Sequence, residues 1–355
     1  MLFPYTYVPH QMEKMQTFID FIFHEVWCKA PTSGHYCLDL FVASSDLHKV
    51  MTALHYDDGK GAMFFAGHVE RIYGLFSALT AAQISQLQKW SRGNNDLEKV
   101  CANDPAVSLT RYKDVIFTHP ILGKQLAAFF RGLYDNSILG LSAIKGEIGD
   151  IKDHSKKFFE KNKTGKCPFC GISDLKGIHH TRREAYDHYL PKYRYPFNSI
   201  NFRNLAPACH ECNSTYKLSK DPVHNPAGRR KAFNPYNAAG HAVQIGVTLQ
   251  HADIGRLKPA DITLQFGPVA LAEELDTWKE VYGIEERYKA KLSGENDGKY
   301  WLAQVMDEWK EDGRDPAEFL SALARQTRNR PFAECNFLKR PFLEACEIAG
   351  LFQDI

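Results

Sequence analysis

The chain has 355 residues, 44% hydrophobic and 24% charged, with a formal net charge of +2. These proportions suit a folded globular protein and exclude a low-complexity or disordered chain. No stretch approaches the roughly 20 apolar residues that span a bilayer, and MLFPYTYVPHQMEK lacks the order of a secretory signal, so a cytoplasmic protein without membrane contact is expected.

Residues 1–140 read as a mainly helical region. HQMEKMQTFIDFIFHEVW places Met12, Met15, Phe18, Ile19, Ile22 and Val26 at three- and four-residue steps, the spacing of an amphipathic helix. HVERIYGLFSALTAAQISQLQKW repeats the pattern through Val69, Ile72, Tyr73, Phe76, Leu79 and Ile84. Between them GHYCLDLFVAS alternates, which predicts a short strand near residues 36–42. A further helix should begin near Pro120. Another should run from about Asn136 toward KDHSKKFFEKNK, changing from apolar (Ile138, Leu139, Leu141, Ile144) to basic. Lys152, Lys156, Lys157, Lys161 and Lys163 read either as a solvated helix face or as contacts to a phosphate backbone.

The stretch from Cys167 to Lys231 carries the chemistry. Of nine cysteines, Cys167, Cys170, Cys209 and Cys212 form two CxxC pairs, while Cys28, Cys37, Cys101, Cys335 and Cys346 are scattered like reduced thiols rather than a disulfide framework. Four thiolates can close a tetrahedral Zn2+ site with no position left for water, which makes the zinc structural. Charge is concentrated in the same region: residues 151–236 hold 17 Lys and Arg against 7 Asp and Glu, leaving 27 against 35 elsewhere. Such a local excess suits a surface that meets phosphate.

Between the pairs, EAYDHYLPK, FRNLAPAC and CN-x3-K resemble the HNH endonucleases, the family of the ββα-metal fold, over about 65 residues. Together with the periodicity of the flanking segments, this gives the expectation of an α+β, mostly helical chain: residues 1–140 helical, 141–236 a small zinc module that the resemblance makes an HNH module, 237–355 a short hairpin and helices. The resemblance implies His188 as general base and Asn204 as the residue fixing the loop that orients it. Asp187 and Asn213 would hold one Mg2+ or another divalent cation, and Lys217 would neutralise the phosphate. Asn in the last place, where His also occurs, keeps a hard oxygen donor. Glu184–Tyr189 is the expected first strand, Leu205–Pro207 the second, and Asn213–Ser219 the helix. If the first strand is regular, Asp187 and His188 face opposite ways, so a bulge or the strand's end must bring both to the phosphate.

Lys192, Arg194 and Arg203, interleaved with Tyr193, Tyr195, Phe197 and Phe202, are the candidate nucleic-acid contacts, with Phe197 and Phe202 read as packing beneath the loop. Among the histidines, His179, His180 and His224 compete as metal ligands and His210 sits inside a knuckle, though roles at the surface or supporting a ligand from behind suit them better because four thiolates complete the zinc site.

After a linker at FNPYNAAG, QIGVTLQ and ADITLQF predict two strands, and four amphipathic segments follow, one with Asp315–Pro316 as its start. This acidic region is expected to meet a protein partner, an ATPase among the candidates. Its Trp278, Tyr282, Arg287 and Tyr288 spacing resembles tails on HNH nucleases of bacterial anti-phage defence. A plain helical packing stripe is the competing explanation. Three functional readings therefore stand: an HNH nuclease with DNA ahead of RNA, an RNA or tRNA nuclease, and a non-catalytic zinc module that binds nucleic acid or protein.

Overall fold

The computed structural model describes residues 1–352. It is α+β and mostly helical, with three two-stranded antiparallel ladders among the described residues. Among the described residues no helix is long and apolar enough to cross a membrane.

The first helical stretch follows its periodicity, as Gln11–Glu13, Lys14–Phe21 and Ile22–Trp27 in succession, burying Met12, Met15, Phe18, Ile19, Ile22 and Val26. The strand expected near 36–42 is instead a helical turn, Leu38–Phe41. A lone strand leaves its backbone groups unpaired, and here they close locally, Leu40 N on Cys37 O and Val42 N on Asp39 O. The second periodic stretch splits into Lys60–Phe76 and Ala81–Asn95, because Thr80 starts a new helix through a capping box with Gln83. Pro120–Leu133 begins where its proline predicts. The stretch after it breaks into Asn136–Leu139, Ser142–Ile148 and Ile151–Lys161. Gly149, at φ +78°, ends the middle piece, and Asp150 caps the last by accepting from Lys152 N.

The central module has β1 (Ala185–His188) antiparallel to β2 (Leu205–Ala208), with Asp187 opposite Ala206 and His188 opposite Leu205, followed by the wide-wound helix Glu211–Lys217. A minimal ladder of β3 (His224–Asn225) and β4 (Gly228–Arg229) comes next. Then β5 (Gln244–Leu249) pairs with β6 (Ile262–Gly267). The C-terminal helices are Ala272–Tyr282, Ile284–Leu292, Gly298–Asp312, Pro316–Asn329 and Asn336–Ile348. The first two were legible as one segment; Gly283 divides them at φ +59°, where a Cβ would lie 2.5 Å from the Tyr216 ring.

Two apolar cores divide the molecule, and the module contributes to both. The four paired cysteines, Phe169, Tyr189 and Tyr195 join residues 1–5 and the C-terminal helices. Tyr186, Phe197, Ile200, Phe202 and Leu205 join the N-terminal helices. The two strands are thus held from both sides.

His154, 2% exposed, lies at the seam between helix Ile151–Lys161 and β1, its Nδ1 2.6 Å from the Tyr186 hydroxyl. Burial, then the nearby His10, lowers its pKa to about 4, against about 6.5 when unfolded. Between those values the unfolded chain binds a proton that the folded chain refuses, so stability falls as pH drops from 6.5 toward 4. His154→Gln, which keeps a hydrogen-bonding side chain without titrating, should flatten the slope of unfolding free energy in that window. The expected change is about one proton, ~1.4 kcal/mol per pH unit, read by denaturant unfolding at several pH values.

Candidate functional site

The segment Cys167–Cys170 turns back on itself, with Gly171 N donating to Cys167 O at 2.6 Å. Gly171 stands at φ +70°, and a Cβ would come 2.3 Å from Leu2 and 2.8 Å from Phe337, so glycine is required twice over. Cys209 and Cys212 lie where β2 runs into helix Glu211–Lys217. All four residues are buried and their sulfurs lie within 4.8 Å of one another. Cys170 Sγ and Cys209 Sγ are 3.9 Å apart. Zinc–sulfur bonds of ~2.3 Å in a tetrahedron give sulfur–sulfur edges of about 3.8 Å, so the buried cluster fits a zinc ion. Hydrogen bonds from Cys167 lower the pKa values of Cys170 and of Cys209, the latter to about 7, while burial raises Cys167.

The C-terminal helices cage this cluster. Trp278 Nε1 donates to Phe169 O at 2.6 Å, the Tyr288 hydroxyl to Cys170 O at 2.8 Å, and Arg287 Nη1 to Cys212 Sγ at 3.3 Å. Tyr282 stacks on Phe169 with centroids 4.9 Å apart. The Trp278, Tyr282, Arg287 and Tyr288 spacing therefore belongs to the sulfur cluster. Only its spacing was visible in the sequence; its targets, 75 to 118 residues away, were not.

β1 pairs regularly through both Asp187 and His188, without a bulge, so the two side chains part. Asp187 turns inward, 3% exposed, and Lys217 Nζ donates to its Oδ1 and to His188 O, both at 2.8 Å. Burial raises the Asp187 carboxyl above its usual range, with Lys217 opposing. Its Oδ2 is buried with no hydrogen-bond partner. Lys217 is fully buried, so the expectation that it meets phosphate is corrected: its ammonium is the counter-charge of Asp187.

His188 packs its ring edge-on to Tyr134, centroids 4.7 Å apart, with Nε2 2.9 Å from Ser199 O. A carbonyl only accepts, so Nε2 carries the proton and Nδ1 is left as an acceptor. Burial, with Lys192 adding to it, lowers the His188 pKa to about 3, so the ring is neutral near pH 7. Asn204 is fully buried and holds the loop between the strands: Oδ1 accepts from Leu190 N at 2.7 Å, and Nδ2 donates to Leu190 O and Asn198 O.

That loop has further anchors which no motif announced. Asn94 Nδ2 donates to Pro196 O and Asn95 Nδ2 to Phe197 O; in return Asn198 Nδ2 donates to Asn94 O and Asn201 Nδ2 to Asn95 Oδ1. Phe197, at φ +77°, is pinned edge-on between Phe23 and Phe130. Phe202 is likewise buried. The asparagine pair at the end of helix Ala81–Asn95 is a signal that could have pointed here, and it went unread.

Of the remaining candidates, Asn213 is half-buried on helix Glu211–Lys217, its carbonyl accepting from Leu218 N. Lys192 is half-buried against the rings of Tyr134 and Tyr193. Arg194 is exposed, with Nε donating to Ser219 O. Arg203, also exposed, stacks on Tyr7 at 4.3 Å. His179, His180 and His210 are exposed and His224 half-buried, none in the sulfur cluster.

Similarity to known proteins is confined to short segments. The chain is 34% identical over 64 residues to the Septu protein PtuB of Bacillus thuringiensis, covering 17% of this chain and 24% of that protein. It is 39% identical over 75 residues to protein ea31 of Escherichia phage lambda, covering 20% of this chain and 21% of that protein. The chain thus spans about a quarter or less of these relatives' length. No family model matches the chain, and no solved structure matches it.

Purified protein should carry about one tightly held zinc per chain. Because zinc binding free energy is folding free energy in such sites, Cys209→Ser should lower both zinc content and melting temperature. Metal analysis and thermal unfolding check this, and unchanged melting without zinc would contradict a structural role.

Proposed function

We propose that the chain is a metal-dependent HNH endonuclease that hydrolyses phosphodiester bonds, with zinc in the four-thiol cluster as a structural ion. The observation that carries the reading is the setting of His188: Nε2 donates to the Ser199 carbonyl, Asn204 ties the adjoining loop, and Nδ1 remains a neutral proton acceptor. A water proton passes to Nδ1, the water oxygen bonds to phosphorus, and the bond to the leaving 3′ oxygen breaks. That oxygen then takes a proton from solvent.

Asp187 and Asn213 are the residues that would hold the divalent cation. The buried, unpartnered Asp187 Oδ2 fits one, since a carboxylate oxygen without a donor is costly and Mg2+ takes hard oxygen ligands. When bound, the cation supplies Lewis-acid stabilisation of charge on the phosphate and the leaving oxygen. Lys217 keeps Asp187 ionised and oriented. Lys192, Arg194 and Arg203 are the proposed backbone contacts.

DNA stands ahead of RNA on the family resemblance. The likeness to a Septu protein supports a place in bacterial anti-phage defence, and a protein partner such as an ATPase is proposed on the resemblance of the C-terminal segment alone. One observation favours the binding-only reading: Asp187 is closed off by Lys217 and almost unexposed. Incubation with plasmid, single-stranded DNA and tRNA, with and without Mg2+, separates the readings.

In the nuclease reading His188→Ala should cut at least ~10²-fold more slowly while binding nucleic acid as before, and added Mg2+ should not restore it. Asn213→Ala should instead raise the Mg2+ requirement and recover in part at high metal. His188→Ala cleaving at the parental rate would sink the assignment.

A further inference from the structure

Beside β1 lies a cleft of about 960 Å³, walled by helices Ser142–Ile148 and Ile151–Lys161 on one side and residues 176–185 on the other. Lys145, Lys152 and Lys156 line the first wall, Lys176, Arg182 and Arg183 the second, and Asp150 is the only acidic residue among its linings. Lys152 and Lys156 stand four residues apart on one helix face, where Phe159 also lines the cleft, and the opposite side buries His154 and Phe158. Lys157, one position on, turns to Asp153 at 2.8 Å, and Lys145 is paired with Asp150. Lys152, Lys156 and Arg182 are exposed and have no acidic partner among the described residues. Lys176 lies 3.8 Å from Glu184, so with Lys145 also paired, Lys152, Lys156, Arg182 and Arg183 remain as a positive excess that faces the cleft from separate segments and favours an anion as its occupant.

The cleft also leads somewhere. Tyr134 lines it and packs edge-on against His188, and Ala185, on its floor, opens the strand that ends at His188. Three strand residues span roughly 10 Å, about three stacked nucleotides at ~3.4 Å each. The volume falls in the small-molecule range of roughly 300–1,000 Å³, room for a few nucleotides of one strand and too little for a double helix. Cations flanking an aromatic ring are the surface that single strands use.

We propose that this cleft is the track that binds a single nucleic-acid strand through its phosphates and delivers it past Tyr134 to His188. The proposal deepens the nuclease reading and rests on it for the direction of travel, but binding by the cleft is measurable without cleavage. The test uses full-length protein carrying His188→Ala, without added divalent cation, and fluorescent oligonucleotides of DNA and of RNA, single-stranded and duplex, in several lengths. Lys152→Glu/Lys156→Glu, both exposed helix positions, is compared with Lys310→Glu on the C-terminal helix Gly298–Asp312 as a control.

The expected result is tighter binding of single strands than of duplex, with affinity rising with length over the first few nucleotides. The logarithm of affinity should fall with the logarithm of salt by about 0.7 per phosphate contact. The double variant should bind at least ~10-fold more weakly with a slope reduced by about 1.4, the control unchanged. Parental affinity and slope in the double variant overturn the proposal. So does binding that ATP displaces stoichiometrically and that ignores oligonucleotide length, which assigns the cleft to a free nucleotide. If the parental chain cuts no substrate but the double variant loses strand binding, the nuclease reading fails and the track stands. If the chain with His188 intact cleaves, and Lys152→Glu/Lys156→Glu made in that same His188 background binds and cuts as it does, the track fails and the nuclease reading stands.

Discussion

Four sulfurs within 4.8 Å of one another tie together positions 39 residues apart, Cys170 and Cys209, and everything in the ββα module lies inside or beside the loop they close. Two strands of four residues cannot hold a sheet in water by themselves. Closing the chain around an ion removes much of the freedom that would otherwise oppose their pairing. The surroundings are fitted to that closure: Leu2 fills the space a Cβ at Gly171 would take, and Trp278, Arg287 and Tyr288 bond to the knuckles. The acidic C-terminal helices therefore have a defined structural task whatever else they bind.

Inside the closed loop the polar groups are handled by asparagine. Asn carries both a donor and an acceptor without charge, so it can satisfy backbone groups in a dry interior where Asp or Lys would bring a desolvation penalty. Asn204 does this within the module, and Asn94, Asn95, Asn198 and Asn201 do it across to the N-terminal helices. The one buried charge pair among the described residues, Asp187 with Lys217, stands where the chemistry is proposed. That fits the tendency of costly buried charges to collect at functional sites.

Local signals were legible wherever the physics is local. The cysteine spacing gave the sulfur cluster, period-2 and period-3.6 patterns gave β5, β6 and the first helix, and proline marked the helix starts at Pro120 and Pro316. Failures came where a distant partner decides. Residues 36–42 alternate like a strand but have no neighbour to pair with, and Thr80, Gly149 and Gly283 cut helices that periodicity ran together. Lys217 looked like a surface cation because a sequence does not show that Asp187, 30 residues away, will draw it inward. Arg287, Trp278 and Tyr288 were visible as a spacing, yet their acceptors lie on an element that only folding brings near.

The pin at Phe197 bears on what counts as a unit here. The residue sits in a left-handed conformation that a bulky side chain ordinarily avoids, and it is kept there by Phe23 and Phe130, which belong to the N-terminal helices. Two positions later comes the carbonyl that fixes the imidazole of His188. The module can be outlined by its motif, but the outline is not transplantable: lifted out at residue 141 it would carry its cysteines and its histidine and leave behind the wall that sets the histidine's angle. Recombination that shuffles such modules between proteins would have to bring the first 130 residues along, or rebuild that wall from another source.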